Sequence, residues 1–429
     1  MTVAQIVART KDDFTVQVTV PYGESMLSVE EIIQEKLNEA GTLMTGEVLE
    51  RFDTDGSPIM LGGSKWTSKG KVAKPYQTPY GEVVIERHVY QSSGGGRIFC
   101  PLEREARIIL TATPRFAKML SAKYSEMGSS RVIEDLESNH GRRVARSFVQ
   151  NVCDGIGAVV FAKEEDWHYQ LPALEKPVAT IAVGLDGTCM LLTEEGYRQA
   201  MVGTLTLYDR RGERQHTIYT AAVPEYGKAT FLARLDQEIA RVKAAFPQAQ
   251  YVGLADGAKE NWEFLNLHTD TQLLDFWHAT GYLGRAAEVR FPGKKQTQAK
   301  ECWLEAACQD LKHRPGTANR LLREFKSWQA NPGLSTEDRQ ALDQVVTYFQ
   351  NHKTRMNYAQ ALEHNLPIGS GVTEAACKVL VKQRLGGAGM KWGGRGAAVV
   401  LSLRALNYTP GRWDQFWNKI DRYGFPLAA

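Results

Sequence analysis

Three acidic side chains, far apart in the sequence, have the types and settings needed for metal chemistry. Asp186 closes the apolar run IAVGLDGT, and Asp256 closes YVGLADGA. A strand buried on both faces delivers its last side chain to the carboxyl edge of a sheet, where open α/β sheets place their ligand sites. Gly follows each aspartate and lets backbone or substrate approach closely. Glu374 stands near the start of a helix after GSGV, where the helix dipole favours a carboxylate. Three carboxylates brought together repel and tend to hold protons. A hard divalent cation removes that conflict, and such oxygen ligands suit Mg²⁺ or Mn²⁺. Two ions about 3.5–4 Å apart stabilise the attacking and leaving oxygens of an in-line displacement at phosphorus. One would activate water or a DNA 3′-OH, and the other would stabilise the departing 3′ oxygen. A lone strand-end aspartate usually just caps its turn, so the signal is the pair of Asp-Gly strand ends joined by a third carboxylate. A glycosidase would also use Asp and Glu, but it accounts for neither the trio nor the basic helix described below.

The elements that must position these groups are legible from about residue 178. VATIAVGLDG reads as a buried strand, and MVGTLTLYDR and RQHTIYTAAVP read as two more around a turn at 210–213. ATFLARLDQEIARVKAAF is an amphipathic helix, QYVGLADGA a fourth strand and TQLLDFWHA a fifth. Three consecutive strands, a helix, then strand–helix–strand is the order of an RNase H-like fold, whereas a purely parallel fold would alternate from the outset. Residues 297–364 are helical throughout, broken by Asn-Pro-Gly at 331–333, and form an all-helical insertion at about 290–366. A last helix from Ser370 or Val372 carries EAACKVLVKQRL. The fold class is α/β: an RNase H-like catalytic core with an all-helical insertion, preceded by a small β module and a helix-turn-helix-like DNA-binding region. The expected divisions are 1–52, an N-terminal helical region; 53–113, the β module; 114–170, the helix-turn-helix-like domain; and 171–429, the catalytic domain.

Net charge is +3, from 52 Lys and Arg against 49 Asp and Glu, so position matters more than total. In the β module, Lys65, Lys69, Lys71 and Lys74 either touch phosphates or simply solvate a hairpin. Residues 129–141 and 142–157 read as two helices with a turn near Asn139, His140 and Gly141, the first capped by Ser129 or Ser130. The second would present Arg142, Arg143, Arg146 and Gln150 to a major groove; the alternative is a helical pair with a basic solvent face. Helical spacing puts Glu374, Lys378 and Lys382 on one face, with Arg384 following, so that cations lie where phosphates would pass. Lys391 and Arg395 sit in the Gly-rich loop with Trp392, which either stacks on an extruded base or, the favoured reading, anchors in apolar surroundings. Ser370 is expected to cap its helix, because GSG lacks the setting of a nucleophile elbow. Six cysteines stand alone, with no Cys-x-x-Cys pair, which supports neither a zinc ribbon nor a disulfide framework. No apolar run approaches the ~18–20 residues that span a bilayer, and MTVAQIVARTKDDF lacks the pattern of a secretory signal. The expectation is a cytoplasmic, nucleoid-associated protein with no membrane partner.

The segments VGLDGT, GLADGAKENWEFL, LLDFWHATGYL and PIGSGVTEAACKVLVKQRLGGAGMKW resemble those of bacterial insertion-sequence DDE transposases of the ISKra type, over roughly residues 178–420. The resemblance implies Asp186, Asp256 and Glu374 as the ligands of two Mg²⁺ or Mn²⁺ ions. Related transposases carry a Cys/Asp-x-x-His signature, which Asp275 and His278 match. His278 would then position DNA or support Asp256, or else simply pack at its helix start, and Asp275 would stand behind the ligands. Some relatives carry a zinc-ribbon-like module, but with Cys100 alone in that region no zinc is expected here. The implied partners are double-stranded DNA, both transposon ends and target, and a second copy of the chain in a homodimer or higher oligomer. A domesticated descendant that binds or cuts DNA in another role fits the same residues.

Overall fold

The computed structural model describes residues 4–163, 166–225 and 228–425. The chain is a mixed α/β protein, about 52% helix and 21% strand, and it divides into two compact units. The first comprises residues up to 170 with 395–407 and those from 411 onward; the second comprises 171–394 with 408–410. No described helix is long and apolar enough to cross a membrane.

The first unit opens with an antiparallel hairpin, β1 (Ala4–Arg9) and β2 (Phe14–Val18). The N-terminal region, read as helical over 1–52, therefore begins with two strands before its helix. FTVQV alternates between half-buried and exposed positions, a period of two that suits a strand. Helix α1 (Met26–Glu50) starts in a reciprocal cap between Ser25 and Ser28. The β module follows as β3 (Ile59–Leu61), β4 (Ser64–Gln77) and β5 (Glu82–Ser92), one antiparallel sheet. Lys74 in it is no free phosphate ligand, since its ammonium lies 2.7 Å from Glu103, which Tyr76 also reaches.

Next come α2 (Pro101–Glu105), α3 (Pro114–Glu126), α4 (Ser129–His140) and α5 (Arg146–Lys163). Gly141 ends α4 in the left-handed region, φ 59°, so the second helix begins at Arg146 rather than Arg142. Gly128, not a serine side chain, occupies the cap of α4. Arg142 is a correction to the groove-reading set. It is 7% exposed, donates from Nε to the Thr78 carbonyl at 3.1 Å and from Nη2 to Gln77 Oε1 at 2.8 Å, and lies over the Phe116 ring. Arg142→Ala removes both bonds and the packing of the stem, an expected loss of about 2–4 kcal/mol in chemical denaturation, with the salt dependence of DNA binding unchanged. A weaker salt slope at unaltered stability would return Arg142 to the DNA surface. Arg143 stays exposed against Glu137, and Arg146 is exposed with Nε on Ser129 Oγ. The rest of α5 is core: Val149, Val152, Ile156 and Val159 are fully buried.

In the second unit the strands are β6 (Thr180–Leu192), β7 (Gly196–Tyr208), β8 (Arg214–Ala222), β9 (Gln250–Ala255) and β10 (Thr271–Leu274), with α6 (Ala229–Ala245) and α7 (Lys259–His268) between the later ones. They form one sheet in the order β10-β9-β6-β7-β8. Strands β6, β7 and β8 run antiparallel in turn, while β9 and β10 run parallel to β6. The fifth strand is shorter than read, because Asp275 accepts from the His278 amide and so caps α8 (Phe276–Arg290). The helical block continues with α9 (Thr297–His313), α10 (Thr317–Gln329), α11 (Thr336–His352) and α12 (Tyr358–Glu363). Its Leu321, Phe325, Val345 and Phe349 share one core with Ile181, Val183 and Leu205 of the sheet. The block is thus packed onto the sheet rather than hung from it. Helix α13 (Gly371–Ala376), a π-helical stretch Cys377–Lys382 and α14 (Gln383–Leu385) close the unit.

Most of α15 (Gly394–Tyr408) and all of α16 (Arg412–Tyr423) belong to the first unit, which corrects the expectation of one domain over 171–429. Apolar side chains surround α15, and Arg404, 1% exposed within it, reaches Glu126 at 3.0 Å. A helix buried on most of its faces must be sheathed: Arg404 meets Glu126 of α3, and Val399 lies against Gly157 of α5, where a Cβ would come within 2.4 Å of it.

Candidate metal centre

Strand register aligns the aspartates. The parallel pairing of β6 with β9 ends at Gly184 opposite Leu254, and that of β9 with β10 ends at Leu274 opposite Ala255. Asp186 and Asp256 each stand two residues past the first of these pairs, and Asp275 follows Leu274. Three aspartates therefore occupy one row across three adjacent strands, which lie about 4.8 Å apart in a sheet. Asp186 does not end its strand, as read from the sequence. β6 runs on to Leu192 because β7 continues to pair with it; only the parallel partner stops.

Asp186 is half-buried. Its Oδ1 accepts from the Gly187 amide at 2.6 Å, and its Oδ2 receives the Cys377 thiol at 3.6 Å. Burial, and beyond it the charge of Asp256, hold its carboxyl above the usual carboxylate range against those donors and the nearby His278. Burial and Asp186 likewise push the Cys377 thiol up, so it stays a neutral donor. Asp256 is half-buried in the turn after β9, with Oδ1 on the Ala258 amide at 3.3 Å.

Glu374 comes to the sheet edge on α13. Thr373, beside it, meets Thr204 of β7, hydroxyl to hydroxyl at 2.7 Å. The approach depends on Gly184, where a Cβ would lie 2.1 Å from Thr373 Oγ1. Ser370 sits at the cap position of α13 but makes no side-chain cap. Its hydroxyl lies 2.9 Å from Asp275 Oδ2 and 3.3 Å from Glu374 Oε1, which corrects the simple capping role. Asp275 is fully buried and accepts from the Ser370 amide at 2.5 Å and the His278 amide at 2.7 Å. It ties the start of α8 to the start of α13.

The expected trio is only partly assembled. Glu374 Oε1 turns to His278 Nε2 at 3.4 Å, both side chains nearly half exposed. Asp275, His278 and Glu374 each offer a ligating atom within 4.8 Å of the others; among the described residues Asp186, Asp256 and Glu374 do not meet that spacing together. Three carboxylates repel, while His278 and Ser370 give Glu374 hydrogen-bonding partners. The donor set still suits a hard divalent ion: carboxylate oxygens gather at one sheet edge, and burial and the charge of Asp256 disfavour the ionised form of Asp186 until a cation offsets them.

The basic side chains divide. Lys378, Lys382 and Lys391 are exposed. Arg384 is not: it is 3% exposed and lies over the Trp392 ring at 4.9 Å. Trp392 is pinned by backbone bonds to Leu191 and Thr193 at the end of β6, and its half-buried ring fits the anchoring role. Arg384 thus leaves the DNA set, because its chain segment turns inward against that ring. Arg395 is exposed but belongs to the first unit. The Cys377 thiol had a sequence signal, three residues after Glu374. Comparison of the chain with protein-family models and with curated proteins gives no match.

Proposed function

We propose that this chain is a DDE-type DNA transposase that cuts at the ends of a mobile element and joins them to target DNA. The observation that carries this reading is the row formed by Asp186 and Asp256 on neighbouring parallel strands, with Glu374 brought to the same edge on α13. The strand order β10-β9-β6-β7-β8, three antiparallel strands followed by two parallel ones, is the order expected of an RNase H-like core and supports the reading. Asp186, Asp256 and Glu374 would hold the divalent ions, which when bound supply Lewis-acid stabilisation of the attacking and leaving oxygens. His278 steadies Glu374, and exposed Lys378, Lys382 and Lys391 receive the phosphates. Arg143 and Arg146 serve end binding in the first unit, with two ends paired by two or more copies of the chain.

The test is the purified chain on DNA carrying the element's terminal inverted repeats, in Mg²⁺ or Mn²⁺ and in EDTA. Nicking at the repeat tips, dependent on the metal, is expected. Specific end binding without cleavage under any divalent ion would favour a domesticated DNA-binding descendant, and neither binding nor cleavage would overturn the reading.

A further inference from the structure

The Asp256 turn is roofed by the helical block. Tyr348 of α11 donates its hydroxyl to the main-chain carbonyl of Asp256 at 3.1 Å. Gly257 adopts φ +119°, a conformation L side chains rarely take, and a Cβ there would lie 3.2 Å from His352 Nε2 and 3.3 Å from Tyr348 Cε2. Glycine at 257 is thus required twice, by its backbone and by the side chains that close over it. The Tyr348 ring is itself fixed. It stacks on Tyr282 with centroids 3.7 Å apart and planes 10° from parallel. Tyr282 lies on α8, one turn beyond His278, and carries Arg285 on its ring. The next residue, Phe349, is fully buried in the core that the block shares with the sheet.

We propose that Tyr348 is a positioning residue for Asp256, through which the helical block sets the direction of the second carboxylate. The inference rests on the metal-site reading above. A hydrogen bond to the Asp256 carbonyl fixes the peptide plane between Asp256 and Gly257, and with it the backbone from which the carboxylate projects. On the far side the carboxylate meets the Ala258 amide at the start of α7. The residue is held from both directions, and the stacked rings convert packing within the block into placement of one metal ligand. Burial pushes the Tyr348 phenol up, so its proton is present to donate throughout the working range of pH. Groups that orient metal ligands from behind typically alter affinity or activity about 10–100-fold when removed.

The test uses the full chain with Tyr348→Phe, which deletes the hydroxyl and keeps the stack on Tyr282. Three results are expected. Amide exchange across residues 254–262 in EDTA becomes faster than in the wild type, with the rest of the second unit unchanged. The Kd for Mn²⁺, followed by electron paramagnetic resonance, rises about tenfold. Cleavage kcat falls while the Kd for end DNA stays constant, a split that a general loss of fold would not give. Tyr282→Phe, which also keeps the stack and removes no contact with the turn, should leave all three as in the wild type. Wild-type exchange and Mn²⁺ affinity in Tyr348→Phe would overturn the positioning role. A different outcome marks failure of the metal reading itself: wild-type chain that binds Mn²⁺ no better than Asp256→Asn. That result would also remove this inference, even with a loosened turn.

Discussion

Asp186→Asn is expected to lower the rate of cleavage of terminal-repeat DNA about a thousandfold or more, with end binding intact. Asparagine keeps the shape, and its Oδ1 can still accept from the Gly187 amide, while its Nδ2 stands where Asp186 Oδ2 receives the Cys377 thiol and donates towards that sulfur instead. What it loses is the charge a divalent ion needs. The same substitution carries a second, opposite effect on stability. Burial and then Asp256 raise the Asp186 pKa in the fold, so the folded chain binds that proton more tightly than the unfolded chain does. The stabilisation from the proton is complete below the ordinary carboxylate pKa and is lost as pH rises through the raised value. At neutral pH the ionised carboxylate therefore weakens the metal-free fold. The thermal midpoint of Asp186→Asn in EDTA should exceed that of the wild type at pH 7, and the gap should close as pH falls into the ordinary carboxylate range. Active sites commonly show this opposition between stability and function. Cleavage retained at wild-type rate would refute the role of Asp186; a midpoint gap that widens on acidification would refute its electrostatics.

The second large effect is expected at Asp275. Its carboxylate is fully buried and accepts from the amides of His278 and Ser370 and from the Ser370 hydroxyl. Asp275→Ala removes the cap of α8, about 0.5–2 kcal/mol, and leaves the Ser370 amide buried without an acceptor, about 1–3 kcal/mol. A total of about 2–5 kcal/mol is a large part of the stability of an ordinary domain. Urea denaturation measures it, and a loss below about 1 kcal/mol would show that the link between α8 and α13 is dispensable. Cleavage should fall as well, because Ser370 and His278 both meet Glu374.

Much of this architecture was written locally. IAVGLDGT and YVGLADGA announced buried strands beside acidic residues, and the helical spacing over 297–364 announced the block, because periodicity reports which faces are buried. The sequence therefore determined the order of strands and helices in the second unit, the two Asp-Gly settings and the candidacy of Glu374. It could not reveal that Arg142 and Arg384 turn inward, since a guanidinium has the same local pattern whether it meets solvent or a carbonyl 64 residues away. Nor could it place α15 and α16 with the first unit or show β6 running past Asp186, which β7 decides. Tertiary structure alone set Asp186, Asp256 and Asp275 in one row, turned Glu374 to His278, and laid Tyr348 over a turn 92 residues earlier. The reason is physical: backbone preference and burial act over a few residues, whereas register, charge repulsion and hydrogen bonds between distant segments exist only after the chain has closed on itself.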